Sequence, residues 1–215
     1  MVSRLHYITQ DLAHIPHWEQ AQRACAGGAD WVQLRVKTQE ESQWLETALR
    51  TQEVCKSFRA KLIVNDNPHI AAKIQSEGLH LGKQDMSPLE ARQIVGEKMI
   101  IGGTANTLQD MLKHVASGTV QYIGLGPLRF TDTKKNLSPI VGLEGYKRIL
   151  SQFRTLGHNL PVVGIGGVKA DDIEALLEAG LHGVAVSSLI NLAENPSAVT
   201  EELLSLLNLA VSEKR

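Results

Sequence analysis

The sequence has few aromatic residues, only two cysteines and almost no net charge. Phe, Trp and Tyr make up 4% of its 215 residues, and the formal net charge is −1. Nucleic-acid surfaces need clustered positive charge, and those that bind single strands also need aromatic rings for base stacking. The composition therefore predicts no nucleic-acid partner.

Long apolar runs are also missing. No run is long enough to span a bilayer, and the opening MVSRLHYITQ leads into a strand pattern without the apolar segment of a signal peptide. Cys25 and Cys55 fall on apolar helix positions without metal-ligand spacing, so we interpret them as reduced core thiols. These features predict a cytoplasmic protein with no membrane partner.

Short β-branched runs recur along the whole chain, and each is followed by a helix-like stretch. The eight runs are residues 5–9, 31–36, 61–66, 78–82, 99–104, 120–126, 161–167 and 183–188. Eight strands alternating with helices are typical of a (β/α)8 barrel, so we predict an α/β fold with a single TIM barrel over residues 1–215. The alternative, an open doubly wound sheet, usually carries a glycine-rich loop after its first strand, which LHYITQDLAH lacks.

Helix signals support this division. Ser87 and Glu90 around a proline form a capping-box pattern, and Asp171 and Asp172 suit the first turn of a helix that ends at Gly180. Between residues 41 and 58, helical spacing relates Trp44, Leu45, Ala48, Cys55 and Phe58.

The end of the second strand, QLRVK, places Gln33, Arg35 and Lys37 on one face by period-two alternation. Two inward cations are unfavourable unless an anion neutralises them, so the row predicts an anion site. A structural ion pair is the alternative interpretation.

Carboxylates follow the third and fourth strands. Asn65 and Asp66 end the third, and Asp85 lies in the loop after the fourth. Two such carboxylates can share one Mg²⁺ that completes its shell with phosphate oxygens and water. Asp85 taken alone is better explained as a loop or cap residue. His80 either approaches this site or is a hydrogen-bonded core histidine, and the second interpretation is favoured.

Small polar residues end the remaining strands. Thr104 ends the fifth, GIGG up to Gly167 ends the seventh, and Ser187 and Ser188 end the eighth. Glycine-rich turns bind phosphate through backbone N–H groups, and barrels often do so after strands seven and eight. The pattern predicts a phosphate site, although glycines also serve tight packing.

The connection after the sixth strand, residues 127–141, is long and rich in donors. Thr131, Thr133 and Lys134 suit closure over an anionic substrate, whereas a solvated charged turn is the alternative. Two anion sites, one beside paired carboxylates, predict two phosphorylated small molecules, one of them a metal-bound diphosphate. The reaction that follows is substitution at a carbon that carries a diphosphate leaving group.

The ordered segments QLRVK, VNDNPHIA, GLHLGKQDM, IGGTANT, YIGLGPLRFTDTKK, PVVGIGGV and GVAVSSLI resemble the thiamine phosphate synthase family over essentially the whole chain. The resemblance implies coupling of hydroxymethylpyrimidine diphosphate to a (carboxy)thiazole phosphate with release of pyrophosphate. It also implies a dissociative course, in which pyrophosphate leaves a pyrimidine-methyl cation that the thiazole nitrogen attacks.

The resemblance also implies a role for each matching residue. The pyrimidine diphosphate would bind Gln33, Arg35, Lys37, Asn65, Thr104 and Lys134, of which Arg35, Lys37, Thr104 and Lys134 are expected to act in catalysis. The cofactor Mg²⁺ would bind Asp66 and Asp85. The thiazole phosphate would bind Thr131, Asp132, Thr133, Gly167, Ser187 and Ser188.

Four departures accompany the resemblance. Val36 replaces a usual Glu, Gln84 replaces a common Glu, Thr104 replaces a usual Ser but keeps the hydroxyl, and GPLRFT lacks a proline before its threonine. Two alternatives stay open. A thiazole tautomerase of the same superfamily tends to lack the metal carboxylates, and a non-catalytic phosphate-ligand binding barrel would bind without turnover. A homodimer is left open.

Overall fold

The computed structural model describes residues 1–130 and 139–212. Eight strands lie in those residues: β1 (Leu5–Ile8), β2 (Trp31–Leu34), β3 (Lys61–Asn65), β4 (Gly78–Leu81), β5 (Ile100–Ala105), β6 (Tyr122–Leu125), β7 (Val162–Ile165) and β8 (Gly183–Val186). The helices there are α1 (His17–Ala26), α2 (Glu41–Ser57), α3 (Pro68–Ile74), α4 (Pro88–Val95), α5 (Leu108–Ser117), α6 (Gly142–Thr155), α7 (Ile173–Glu178), α8 (Ser188–Asn191) and α9 (Pro196–Ser212).

The strands form a closed parallel barrel in chain order, with β8 paired to β1. The closing register places Leu5 beside Val184 and Tyr7 beside Val186. The predicted (β/α)8 TIM barrel is confirmed, and the alternative prediction of an open doubly wound sheet is wrong. Because every strand runs in the same direction, all eight carboxyl ends open on one face of the barrel.

Local capping explains where the helices start. The Ser87 hydroxyl accepts from the Glu90 N–H, and the Glu90 carboxylate accepts from the Ser87 N–H, which confirms the predicted capping box of α4. Before α7, a short 3₁₀ turn (Ala170–Asp172) replaces the predicted α-helical first turn. There the Asp172 carboxylate accepts from the Lys169 N–H at 2.7 Å.

Two predictions about element ends need correction. β2 ends at Leu34, so Arg35 and Lys37 lie in the following loop rather than on the strand. Phe58 is 42% exposed rather than packed on the apolar face of α2, because it stands at the C-cap, where the helical repeat ends.

The core has two layers. Between the strands and the helices lies a large apolar cluster that includes Cys25 and Cys55, so their predicted burial is confirmed. Inside the barrel, a smaller cluster surrounds Trp31, Ile63 and Tyr122. Among the described residues, no helix combines the length and the apolarity that crossing a membrane requires.

Glycine permits a close approach of the two backbone segments at the seam of the barrel. A Cβ on Gly183 would overlap the backbone carbonyl group of Arg4, just before β1. The Val184 N–H donates to the same Arg4 carbonyl oxygen at 2.8 Å. The seam therefore packs without steric overlap only when position 183 carries a hydrogen atom in place of a side chain.

We expect Gly183→Ala to lower the free energy of unfolding by about 3 kcal/mol, since backbone atoms, unlike a flexible side chain, cannot move aside. Urea denaturation measures the change. Gly118→Ala is the matched control, because its Cβ meets open space and only the left-handed φ of +65° is strained, at about 1 kcal/mol. Equal losses in the two variants would contradict a steric role for Gly183.

Candidate active site

A cavity of about 530 Å³ opens at the carboxyl ends of the strands. Ten residues that the sequence analysis predicted for the site line it: Gln33, Arg35, Lys37, Asn65, Asp66, Asp85, Thr104, Gly167, Ser187 and Ser188. The other four, Thr131, Asp132, Thr133 and Lys134, lie outside the described residues. The barrel thus brings together side chains that are up to 155 positions apart in the sequence, from 33 to 188.

Cations lie on the β2 side of the cavity. The Lys37 ammonium forms an ion pair with the Asp66 carboxylate. The Arg35 guanidinium forms no ion pair with any group in residues 1–130 or 139–212. This wall therefore presents a positive charge that an anionic ligand can neutralise.

Two carboxylates face each other beside these cations. Asp66 follows β3 with a left-handed φ of +65°, and its N–H donates to the His80 carbonyl oxygen at 2.8 Å. Burial and the neighbouring Asp66 carboxylate raise the pKa of Asp85 to about 6. Burial alone would raise the pKa of Asp66, but its contacts with Asp85 and Lys37 outweigh burial and hold that pKa below its usual range. The pair concentrates negative charge at one point of the cavity.

The opposite wall comes from the ends of β7 and β8. Gly166 and Gly167 have left-handed φ angles of +91° and +72°. The Ser187 hydroxyl donates to the Gln10 side-chain oxygen at 3.1 Å, and Ser188 begins the short helix α8. Left-handed glycines beside hydroxyl groups are suited to hold an anion, since their backbone N–H groups can converge on it.

Residues 5–190 match the family model described as thiamine monophosphate synthase. The chain belongs to this family. A thiamine-phosphate synthase of Bacteroides thetaiotaomicron is 46% identical over 206 residues, which cover 96% of this chain and 98% of the relative. One from Vibrio parahaemolyticus is 35% identical over 95% of this chain and 98% of its own length.

A solved structure agrees with this assignment. The thiamine phosphate pyrophosphorylase of Pyrococcus furiosus superposes with a TM-score of 0.84 at 28% identity, covering 97% of this chain and 96% of that one. As a member of the thiamine monophosphate synthase family, the chain is an enzyme, a transferase.

Two residues at which this chain differs from the usual family sequence lie in different parts of the barrel. Val36 is buried in the large cluster between strands and helices, so its side chain affects packing and does not face the cavity. Gln84, by contrast, lines the cavity next to Asp85. A neutral amide there removes one negative charge from the neighbourhood of the carboxylate pair.

A hydrogen-bonded network beneath the cation wall escaped the sequence analysis. The Thr9 hydroxyl accepts from the Arg35 N–H at 3.1 Å, and the Asp11 carboxylate accepts from the Lys37 N–H at 3.0 Å. His17 joins the two acceptors, with Nδ1 2.7 Å from the Thr9 hydroxyl and Nε2 3.0 Å from Asp11. Burial lowers the pKa of His17 despite Asp11. The network fixes the backbone that carries both cations.

A second missed feature joins the loops after β6 and β7. The Arg129 guanidinium donates to both carboxylate oxygens of Asp172, at 2.5 and 2.8 Å, and to the Gly167 carbonyl oxygen at 2.5 Å. The bond from Arg129 lowers the pKa of Asp172, so the ion pair persists at neutral pH. Arg129 therefore holds the glycine turn against the start of the residue 127–141 connection.

The His80 ring turns out to satisfy both interpretations left open by the sequence. It lines the cavity, and it is buried and hydrogen-bonded, with Nδ1 2.9 Å from the Tyr122 hydroxyl and Nε2 3.0 Å from the Thr104 hydroxyl. The favoured interpretation as a hydrogen-bonded core histidine was correct but incomplete.

The carboxylate pair fits a hard divalent cation such as the Mg²⁺ implied by the family. Both ligands are oxygen donors, and burial together with the neighbouring Asp66 carboxylate raises the pKa of Asp85, as expected for like charges held close together. No group of three or more His, Cys, Asp or Glu side chains suited to a metal occurs in the described part of the chain. Oxygens of a ligand and of water would therefore complete the shell.

We expect Asp85→Asn to stabilise the metal-free protein by roughly 1 kcal/mol, because it removes one of two contacting negative charges at a partly exposed site. The amide oxygen still accepts from the Gly82 N–H, as the carboxylate does. Thermal unfolding in EDTA measures this, with Asp171→Asn, at an exposed acid outside the cavity, as the control. Added Mg²⁺ should raise the midpoint of the wild type more than that of Asp85→Asn. A variant less stable than the wild type in EDTA would contradict the repulsion.

Proposed function

We propose that this chain is a thiamine phosphate synthase that couples hydroxymethylpyrimidine diphosphate to a thiazole phosphate and releases pyrophosphate. One observation carries the proposal. A single cavity combines a cationic wall and a carboxylate pair at β2 to β4 with a glycine and serine wall at β7 and β8. The first wall suits a metal-bound diphosphate, and the second suits a monophosphate.

The two proposed anion sites face each other across the cavity, which suits a reaction between two phosphorylated molecules. Gln33 and Asn65 would bind the pyrimidine diphosphate beside Arg35 and Lys37, and Thr104 would donate to it. Gly167, Ser187 and Ser188 would bind the thiazole phosphate. The roles implied for Thr131, Asp132, Thr133 and Lys134 stay predictions.

The proposed course is dissociative substitution. As the carbon–oxygen bond to pyrophosphate breaks, negative charge grows on the departing oxygens, and Arg35 and Lys37 stabilise it within a partly closed site. Bound Mg²⁺, held by Asp66 and Asp85, would neutralise part of the same charge. The thiazole nitrogen then attacks the pyrimidine-methyl cation, so the protein needs no nucleophile of its own.

The network under the cation wall has a role in this course. Transition-state stabilisation requires donors that are already in place when charge develops. Thr9, Asp11 and His17 hold the backbone of Arg35 and Lys37 before any ligand binds. The loop that carries Arg35 and Lys37 therefore loses its conformational entropy when the protein folds, and not during the reaction.

Pyrophosphate release is the experiment that tests the function. We expect release only when the pyrimidine diphosphate, the thiazole phosphate and Mg²⁺ are all present. Pyrophosphate release at the same rate without the thiazole phosphate would indicate a hydrolase and overturn the proposal. No release from folded protein would lead to an assay of thiazole isomerisation, and then to the binding-protein interpretation.

If the cavity contains two separate substrate sites, a variant in each site should raise the KM for one substrate and not for the other. Ser188→Ala should raise the KM for the thiazole phosphate about fivefold, the loss of one hydrogen bond, with little change for the pyrimidine diphosphate. Lys37→Met should raise the KM for the pyrimidine diphosphate by about tenfold or more and spare the thiazole phosphate. Steady-state kinetics with each substrate varied measures both. Ser205→Ala, at an exposed residue of α9, is the control. Equal effects on both substrates would refute the two-site division.

A further inference from the structure

One chain of hydrogen bonds leads from the barrel interior to the cavity wall. The Tyr122 hydroxyl lies 2.9 Å from His80 Nδ1, and His80 Nε2 lies 3.0 Å from the Thr104 hydroxyl. Thr104 lines the cavity and is partly exposed, whereas Tyr122 has no exposed surface. We name this arrangement the Tyr122–His80–Thr104 chain.

Glycines on the neighbouring strands make room for the chain. A Cβ on Gly102 of β5 would overlap the Tyr122 ring, and a Cβ on Gly124 of β6 would lie 3.2 Å from His80 Cε1. Tyr122 is further fixed by edge contacts with His6 and Trp31, at ring separations of 4.9 and 5.5 Å. The two rings of the chain are therefore held in one arrangement by packing on several sides.

Tyr122 sets the direction of the hydrogen bonds. Burial raises the pKa of its hydroxyl, so it keeps its proton, and a buried proton without an acceptor is strongly disfavoured. Among the residues that the structure describes, the acceptor within hydrogen-bond distance of this hydroxyl is His80 Nδ1. Nδ1 must therefore be unprotonated, and a neutral imidazole then carries its single proton on Nε2.

We propose that His80 and Tyr122 are positioning residues that keep the imidazole proton on Nε2, so that the Thr104 hydroxyl accepts from His80 and donates its own proton into the cavity. The identity of the ligand, the pyrimidine diphosphate, rests on the proposed function. In the opposite tautomer, Thr104 would donate to Nε2 and present only lone pairs to the cavity.

The direction matters because diphosphate oxygens only accept hydrogen bonds. A threonine whose proton is committed to His80 would repel such a ligand with its lone pairs. A threonine that accepts from His80 offers a donor beside the Arg35 and Lys37 wall, and polarisation by the His80 N–H strengthens that donor. Two buried side chains thus select between a favourable and an unfavourable contact at the cavity wall.

The tautomer can be measured without any substrate. In ligand-free protein with ¹⁵N-labelled histidine, long-range ¹H–¹⁵N correlations distinguish the two neutral tautomers and the imidazolium, and His80→Gln identifies the His80 signals by their loss. We expect the neutral form with the proton on Nε2. The Nδ1–H tautomer or an imidazolium would overturn the proposal, whether or not the enzyme is a synthase.

The functional consequence is tested by a double-mutant cycle. Tyr122→Phe keeps the ring and removes the hydroxyl, and we expect it to raise the KM for the pyrimidine diphosphate about fivefold without changing that for the thiazole phosphate. Thr104→Val should raise the same KM, and Thr104→Ser should retain wild-type binding. In the Thr104→Val background, the effect of Tyr122→Phe should disappear, because Tyr122 acts only through that hydroxyl.

Tyr146→Phe is the matched control, since its buried hydroxyl lies 2.6 Å from the Leu125 carbonyl oxygen and 3.3 Å from that of Ile165, and Tyr146 does not line the cavity. It should lower stability as Tyr122→Phe does but leave both KM values unchanged. An undiminished rise in the KM for the pyrimidine diphosphate on Tyr122→Phe in the Thr104→Val background would show that the Tyr122 hydroxyl affects binding by a route other than Thr104, and no rise in the wild-type background would show that it serves stability alone; either result would overturn the proposal. If the wild type has no synthase activity, binding of inorganic pyrophosphate with Mg²⁺ replaces KM in the same cycle.

Discussion

Closure of the barrel by β1 and β8 is the constraint on which the rest of the structure depends. It brings the first βα loop against the last, so that Ser187 donates to Gln10 across 177 positions of sequence. The same closure encloses the small apolar cluster around Trp31, Ile63 and Tyr122 inside the barrel. It also makes the eight carboxyl ends of the strands converge on one cavity. An open sheet with the same strands would separate the cationic wall from the serine wall, and no single ligand pair could reach both.

Within that frame, charge is arranged at a cost to the metal-free protein. Asp66 and Asp85 repel each other, and Asp66 has a strained backbone conformation. Lys37 offsets part of the repulsion by pairing with Asp66. Close like charges and a strained backbone persist only when the surrounding structure holds them in place. Here the strand ends hold Asp66, and the hydrogen bonds of Thr9, Asp11 and His17 hold the backbone at Arg35 and Lys37.

The sequence predicted the elements and the cavity lining well because both depend on local pattern. Strand runs, the Ser87 capping box and the polar strand ends are all visible over a few residues. Arg35 and Lys37 lie beyond the end of β2, yet they line the cavity as expected. The roles of these residues, the metal, the cytoplasmic location and a homodimer stay predictions.

What the sequence did not predict depends on contacts between distant residues. Asp11 and His17 sit in an unremarkable loop and helix start, and only the barrel shows that they hold the backbone of Lys37. Arg129 falls in the donor-rich connection of residues 127–141, where the sequence suggested no partner for it, but it pairs with Asp172, 43 positions away. No period or motif signals such pairs in a single sequence, because their spacing is set by the fold.

The hydrogen bonds around Asp11 and His17 limit where residues can be inserted into or deleted from the chain. Between β1 and α1, the Gln20 amide donates to the carbonyl oxygens of Gln10 and Ile15, and Asp11 is joined to His17. Adding or deleting a residue in this loop would shift the backbone that supports the cations. At the opposite end of the barrel, a Cβ added to Gly157, between α6 and β7, would meet no atom within 4 Å. New termini or an inserted peptide tag therefore belong at the opposite, amino-terminal end of the barrel.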